Sequence, residues 1–288
     1  MRVSLNVTNY SWTSTDLPEA LDSVAQAADD GGIDTLWVND HLLQAGPGTT
    51  VDEPMLEAYA VLGYLASRTR RVRLGTMVTG VTFRPPALLI KAVTSVDVLS
   101  RGRAWLGVGA GYHSAEADAM GLPLPDRRTR FDVLTDTLTL ARQMWAGERG
   151  AFQGVAVAMN DPVGSPLPTT KPHPPILIGG MGEQRTLPLV ARFADACNLF
   201  DIPDGGRTVA RKLAVLADLC AAAGRPFEEI DKTISTRFDP AQPLDAFVQH
   251  CRELEALGID HVVCITTGPW TAAAVERLAD ATARLDGR

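Results

Sequence analysis

The sequence predicts one α/β domain, a (β/α)8 TIM barrel, on three observations. Short β-rich runs alternate with helix-period segments along almost the whole chain, the arrangement of βαβ units on a parallel sheet. There are eight of each, and the length of 288 residues suits a single barrel, typically about 250 residues or more. No low-complexity linker divides the chain, so a single domain is expected over 1–288.

VSLNV (3–7) reads as the first strand, and DLPEALDSVAQAADDGG (16–32) as the first helix. A D-x-x-E capping box at Asp16 and Glu19 opens that helix, Leu21, Val24, Ala25 and Ala28 share one face, and Gly31-Gly32 ends it. DTLWVND (34–40) is the second strand; a helix near 54–68, the strand VRLGTMV (72–78), a helix near 86–100, the strand AWLGVGAG (104–111) and a long helix near 128–146 follow. The Pro-rich stretch 148–175, containing DPVGSPLPTTKPHPP, breaks the rhythm and reads as an insertion between the fourth helix and the fifth strand, lying over the barrel. The rhythm resumes with PPILIGG (174–180), a helix to about Ala194, ACNLF (196–200), a helix over 207–223, TISTRF (233–238), a helix near 244–257, HVVCITT (261–267) and a last helix near 272–285.

Composition narrows the function. A formal charge of -7 offers no basic face for a phosphodiester backbone, which argues against nucleic acid. MRVSLNVTNYSW has no apolar leader core, and no run approaches the ~20 apolar residues of a membrane span, so a cytoplasmic protein is expected. Cys197, Cys220, Cys251 and Cys264 are widely spaced in apolar segments, as buried free thiols are.

In a barrel, chemistry sits at the C-terminal ends of the strands, where three sequence features fall. Asp40 and His41 end the second strand; the imidazole suits proton transfer with the carboxylate orienting it or a ligand, or the pair is a loop cap and a backbone-bonded histidine. LGVGAGY (106–112) is not a dinucleotide fingerprint, because Tyr112 stands where the third glycine is required. Gly107, Gly109 and Gly111 either admit something flat to the mouth or relieve crowding between strands. ILIGGMGEQR (176–185) places free N–H groups and a helix start at the rim, which fits an anion such as phosphate. His113 and Glu116, at i and i+3, line the pocket or pair at the surface, whereas His173, His250 and His261 have no metal-ligand spacing, so no metal site is expected. The tryptophans fall on apolar faces and read as core.

Together WVNDH, RVRLGTMVTGVTFRPPALLIKAVTSVDVLSRGRAWLGVGAGYHSAEADAMG, RFDVLTDTLTLARQMWAGE and HPPILIGGMGEQRTLPLVARFADACNLF resemble the luciferase-like monooxygenase superfamily, and within it the coenzyme F420-dependent oxidoreductases. The likeness covers about residues 1–200 and, beyond them, only the barrel rhythm. It implies a barrel with an insertion, commonly a homodimer, that holds a deazaflavin or flavin at the C-terminal rim and acts on a small organic substrate. Asp40 and His41 match the pair beside the reactive ring, with His41 as acid or base during hydride transfer at C5; Met77 and Val78 match a bulge backing the ring and imply a non-prolyl cis peptide. Ala110 and Gly111 match backbone beside the cofactor, and Gly179, Gly180, Met181 and Gly182 the loop that receives its phosphate.

Two positions depart from the family pattern. Tyr112 replaces a glutamate that assists catalysis in the sugar-phosphate dehydrogenases, which argues against glucose 6-phosphate and leaves a pocket hydroxyl able to polarise a carbonyl. Pro188 is expected to delay the following helix, making Thr186 its N-cap. The resemblance also admits an FMN-dependent monooxygenase fed by a partner reductase, or a barrel that binds cofactor without turnover.

Overall fold

A computed structural model describes every residue except 14, 45, 47, 286 and 288. The strands are β1 (Arg2–Val7), β2 (Thr35–Val38), β3 (Arg73–Thr76), β4 (Thr79–Gly80), β5 (Leu106–Gly109), β6 (Phe152–Gln153), β7 (Ala158–Met159), β8 (Ile176–Gly179), β9 (Ala196–Phe200), β10 (Asp231–Arg237) and β11 (His261–Ile265). The helices are α1 (Leu17–Asp30), α2 (Ala58–Arg68), α3 (Pro86–Ser100), α4 (Ser114–Met120), α5 (Arg127–Ala146), α6 (Thr186–Phe193), α7 (Arg207–Ala223), α8 (Leu244–Ala256) and α9 (Ala272–Leu285).

One parallel sheet runs β3-β2-β1-β11-β10-β9-β8-β5-β4. Its two ends, β3 and β4, are halves of the same strand, interrupted by a cis peptide between Met77 and Val78. A parallel bridge from Leu74 to Ala104 and the pairing of β4 with β5 bring the sheet round into a barrel. The predicted third strand is therefore present but broken, and α4 is a helix where only a helical turn stood out in the sequence.

Apolar strand faces and amphipathic helices build the outer core, while Trp37, Trp105, Leu177, Ala196 and Val263 fill the barrel beneath Met77 and Val78. The rings of Trp37 and Trp105 lie 5.6 Å apart. Gly75 is what admits them, since a Cβ there would fall 2.7 Å from the Trp37 ring and 2.8 Å from the Trp105 Cβ. All four cysteines are buried and free. Among the described residues no helix is long and apolar enough to cross a membrane.

Several local expectations are corrected. Asp16 does sit at the N-cap of α1, but its exposed carboxylate makes no cap bond; Pro18 in the first turn has no N–H to offer, and Ala20 N donates to the Asp16 carbonyl at 2.9 Å instead. Helix α2 starts at Ala58 rather than near 54, where the Glu57 side chain accepts from Ala60 N at 2.6 Å. Thr186 is the first helical residue of α6, and Arg185 occupies the N-cap without a side-chain bond.

The Pro-rich segment packs against α3 and α5 on the outside of the barrel. Two buried acids on helix faces hold it. Asp97 of α3 accepts from Thr169 N at 2.7 Å and Thr170 N at 3.0 Å, and Asp136 of α5 accepts from Ala156 N at 2.6 Å and Val157 N at 2.9 Å. His173 stacks on Trp145 with centroids 5.6 Å apart.

Candidate active site

At the C-terminal ends of the strands lies a cavity of about 520 Å³. Its apolar wall is Met77, Val78, Phe83, Phe131 and Leu134, and its polar wall includes Asn6, Asn39, Asn198 and Ser235. Of the sequence-predicted residues, Asp40, His41, Met77, Val78, Ala110, Gly111, Tyr112, Gly179 and Gly180 line it. Met181 and Gly182 do not: the Met181 sulfur accepts from Phe200 N at 3.4 Å, and the Gly182 carbonyl accepts from Leu187 N at 2.9 Å, at the start of α6.

Asp40 and His41 follow the end of β2, both line the cavity, and they take different partners. Asp40, buried to 2% exposure, forms a bidentate pair with Arg84, at 2.5 Å from Nη1 and 2.9 Å from Nη2. Arg84 also pairs with Glu57 and lies 4.6 Å over the Tyr59 ring. Asp40 is thus committed to a cation and makes no bond to the His41 ring among the described residues, so of the two roles the sequence offered it, orienting His41 is not the one it fills.

Glu116 does that instead. It projects from the first turn of α4, is buried to 1% exposure, and places Oε2 2.7 Å from His41 Nδ1. Its Oε1 accepts from Leu42 N at 2.5 Å and Leu43 N at 3.1 Å, so one carboxylate fixes both the ring and the backbone that carries it. Burial opposes ionisation of Glu116, but hydrogen bonding and the charge of His41, with the two backbone donors, outweigh it and hold the carboxyl below its ordinary pKa. The carboxylate is ionised near neutral pH. With Nδ1 engaged, His41 has Nε2 left for exchange with the cavity. His113 lines the cavity and caps α4, its Nδ1 accepting from Glu116 N at 3.1 Å, and its half-buried ring lies over the buried Glu116 carboxylate, 3.9 Å from Oε2. His41, Tyr112 and His113 form an edge-to-face cluster with centroids 5.7–6.1 Å apart.

Gly107, Gly109 and Gly179 relieve crowding. A Cβ on Gly107 would sit 1.8 Å from the Thr76 carbonyl, and one on Gly109 or Gly179 would lie 3.1 or 3.0 Å from Val78 Cγ2. They let the Met77–Val78 bulge enter the barrel and form the cavity floor. Gly111 (φ +74) and Gly180 (φ +117) have backbone conformations that disfavour a side chain.

Arg127 and Arg130, at the start of α5, also line the cavity and were missed in the sequence. Arg130 Nη1 donates to the Gly111 carbonyl at 3.0 Å, while its buried Nε has no partner among the described residues. The signal was present: RRTR (127–130) crowds cations into a helix first turn, where the dipole disfavours them. Arg185, just before α6, lies 5.6 Å over the Phe131 ring, so the glycine loop and the start of α5 meet at this end of the cavity.

Outward, the cavity opens on a second chamber of about 810 Å³ that shares His41, Tyr112, Asn39 and Phe200 with it.

Comparison with known proteins agrees with this geometry. The family model described as luciferase-like monooxygenase matches residues 1–239. An F420-dependent glucose-6-phosphate dehydrogenase of Kineococcus radiotolerans is 31% identical over 237 residues, covering 79% of this chain and 67% of that protein. Among solved structures, an F420-dependent secondary alcohol dehydrogenase in complex with an F420-acetone adduct superposes with a TM-score of 0.83 at 15% identity, covering 99% of this chain and 98% of the other. Monooxygenase RslO1 from Streptomyces bottropensis superposes with a TM-score of 0.81 at 19% identity, covering 100% and 99%. The two structures share the fold, and with the family match over most of its length the chain belongs to the luciferase-like monooxygenase family.

Proposed function

We propose that the protein is a coenzyme F420-dependent oxidoreductase that moves a hydride between the deazaflavin and a small organic substrate, with His41 carrying the accompanying proton. The observation that carries this reading is the His41–Glu116 pair, buried at the edge of an apolar-walled cavity. Similarity to relatives named as F420-dependent dehydrogenases supports the choice of cofactor.

The residues present fit such a group. A cavity of about 520 Å³ is within the usual range for cofactor sites, about 300–1,000 Å³. Met77, Val78, Phe83 and Leu134 offer an apolar wall to a flat ring system. The unpartnered buried Nε of Arg130 is a donor in want of an acceptor, and with Arg127 and Thr186 it would hold an anionic tail. When bound, the deazaflavin supplies two-electron hydride transfer at C5.

The chain's own residues do the rest. The Glu116 carboxylate orients the His41 ring through Nδ1 and leaves Nε2 to take up a proton. Nε2 then returns that proton when hydride flows the other way. The Asp40–Arg84 pair holds the end of β2 in place. Tyr112, 72% exposed at the mouth, presents a hydroxyl that can polarise a carbonyl.

Fluorescence titration of the purified protein with F420 and with FMN tests the reading. Saturable binding of F420, weakened about tenfold to 100-fold by Arg130→Ala as expected for loss of charged hydrogen bonds, supports it. Tight binding of FMN with none of F420 refutes it.

A further inference from the structure

Glu116 engages two imidazoles through chemically opposite groups. Its Oε2 lies 2.7 Å from His41 Nδ1, and its backbone N–H donates to His113 Nδ1 at 3.1 Å. An ionised carboxylate only accepts, so His41 Nδ1 carries a proton and its Nε2 is left as a lone pair. A peptide N–H only donates, so His113 Nδ1 is the lone pair and the neutral ring carries its proton on Nε2. The 3.9 Å between His113 Nδ1 and Glu116 Oε2 is too long for a competing bond to the carboxylate. One residue therefore sets two rings in complementary tautomers, an acceptor on His41 Nε2 and a donor on His113 Nε2.

Both rings line the inner cavity, with centroids 5.7 Å apart at an interplanar angle of 76°. An oxygen that bonds two nitrogens at about 2.9 Å each holds them up to about 6 Å apart, so the separation suits one bridging oxygen. Tyr112 packs edge-to-face against both rings, but its side chain is exposed and no hydrogen bond among the described residues holds its hydroxyl. His113 is instead fixed by the first turn of α4. A donor already held in place needs no reorganisation when charge develops on the atom it faces.

We propose that His113 Nε2–H is the fixed donor that holds the substrate oxygen while His41 exchanges its proton, so that the two rings form a clamp for a hydroxyl group or the carbonyl it becomes. An alcohol satisfies both halves at once: its O–H donates to His41 Nε2, and its oxygen accepts from His113 Nε2–H. In the oxidising direction the carbinol C–H bond breaks with its electron pair leaving as hydride to the deazaflavin. The O–H bond breaks with its proton passing to His41 Nε2, and its electron pair becomes the second bond of the carbonyl. The His113 proton stays on its nitrogen throughout. The proposal rests on the F420-dependent reading for the hydride acceptor alone; the clamp belongs to Glu116, His41 and His113. Glu116 is then the positioning residue for both rings.

The test is long-range 1H–15N NMR of the full chain labelled with 15N-histidine, without cofactor, titrated with cyclohexanol. The expected spectrum has the proton on Nδ1 of His41 and on Nε2 of His113, and cyclohexanol moves Nε2 of both rings with one dissociation constant. His113→Asn keeps the cap, because its side-chain oxygen accepts from Glu116 N, but it is too short to reach the place of Nε2; it should bind cyclohexanol about twofold to tenfold more weakly. His113→Gln, whose terminal amide extends to that place, should recover most of the loss while giving up the cap. The same tautomer in both rings, a response to cyclohexanol confined to one ring or absent, or undiminished binding by His113→Asn overturns the proposal. F420 titration of the same samples separates the two readings. Opposed tautomers and a two-ring response in a chain that takes up no F420 keep the clamp and remove the cofactor, whereas F420 binding with matching tautomers keeps the cofactor and removes the clamp.

Discussion

Replacing Glu116 by Gln isolates the group that orients His41. The substitution keeps size and shape, and the amide oxygen can still accept from Leu42 N and Leu43 N, which use Oε1 in the native chain. What changes is Oε2, 2.7 Å from His41 Nδ1, which becomes an N–H donor. The ring must then present Nδ1 as an acceptor and carry its proton on Nε2, and its protonated form loses an anionic partner. A hydrogen bond to a charged group contributes about 1.5–3 kcal/mol, and about 1.36 kcal/mol corresponds to tenfold in rate. Turnover should therefore fall about 10–150-fold, with the F420 dissociation constant nearly unchanged. Steady-state kinetics across pH, paired with cofactor titration, read both quantities. Glu116→Ala gives the contrast, because it also strands two backbone donors at about 1–3 kcal/mol each and should lower the Tm. A Glu116→Gln enzyme with native turnover and native pH profile, or one impaired only in F420 binding, would refute the role assigned to this carboxylate.

Three further perturbations follow from the same geometry. His41→Ala should lose about 10²–10⁴-fold in turnover, the usual worth of a general acid–base, while F420 titration stays close to wild type; undiminished turnover would remove His41 from the reaction. Gly107→Ala should cost about 3 kcal/mol or prevent folding, since its Cβ would overlap the Thr76 carbonyl at 1.8 Å; a native urea midpoint would contradict the packing. His261 is fully buried beside Ser4 and Asp34, and desolvation brings its pKa down from 6.5 to about 4. The unfolded state then binds more protons between those values, so stability falls as pH drops from 6.5 to 4, by about 3 kcal/mol from this group. Urea unfolding of His261→Gln across that window should show a shallower dependence, and an unchanged slope would contradict the linkage.

The barrel was legible because its evidence is local: period-two apolar runs, period-3.6 faces and glycines at helix ends. Strand ends were legible for the same reason, which is how Asp40, His41 and the 176–182 loop were placed at the mouth. Partnerships were not. Glu116 is 75 residues from His41, and only the folded chain brings them together, so orienting His41, one of two roles offered to the adjacent Asp40, falls to a distant carboxylate. Arg84 likewise reaches Asp40 across 44 residues. The flanking course of 148–175 depends on Asp97 and Asp136, acids on otherwise buried helix faces, whose backbone partners a helical pattern does not show. Gly107 and Gly109 were ambiguous because cofactor approach and strand crowding require the same missing Cβ, and only the positions of Thr76 and Val78 reveal the crowding.

A crystal structure of the F420 complex would show whether the mouth cavity is where a deazaflavin meets the His41–Glu116 pair. The expected result is the ring system against Met77 and Val78, His41 Nε2 at its reactive edge with Nδ1 still on Glu116, and the anionic tail between Arg130 and the 180–186 loop. A cofactor seated elsewhere on the barrel, or in the cavity with the His41 ring turned away from it, would contradict that assignment.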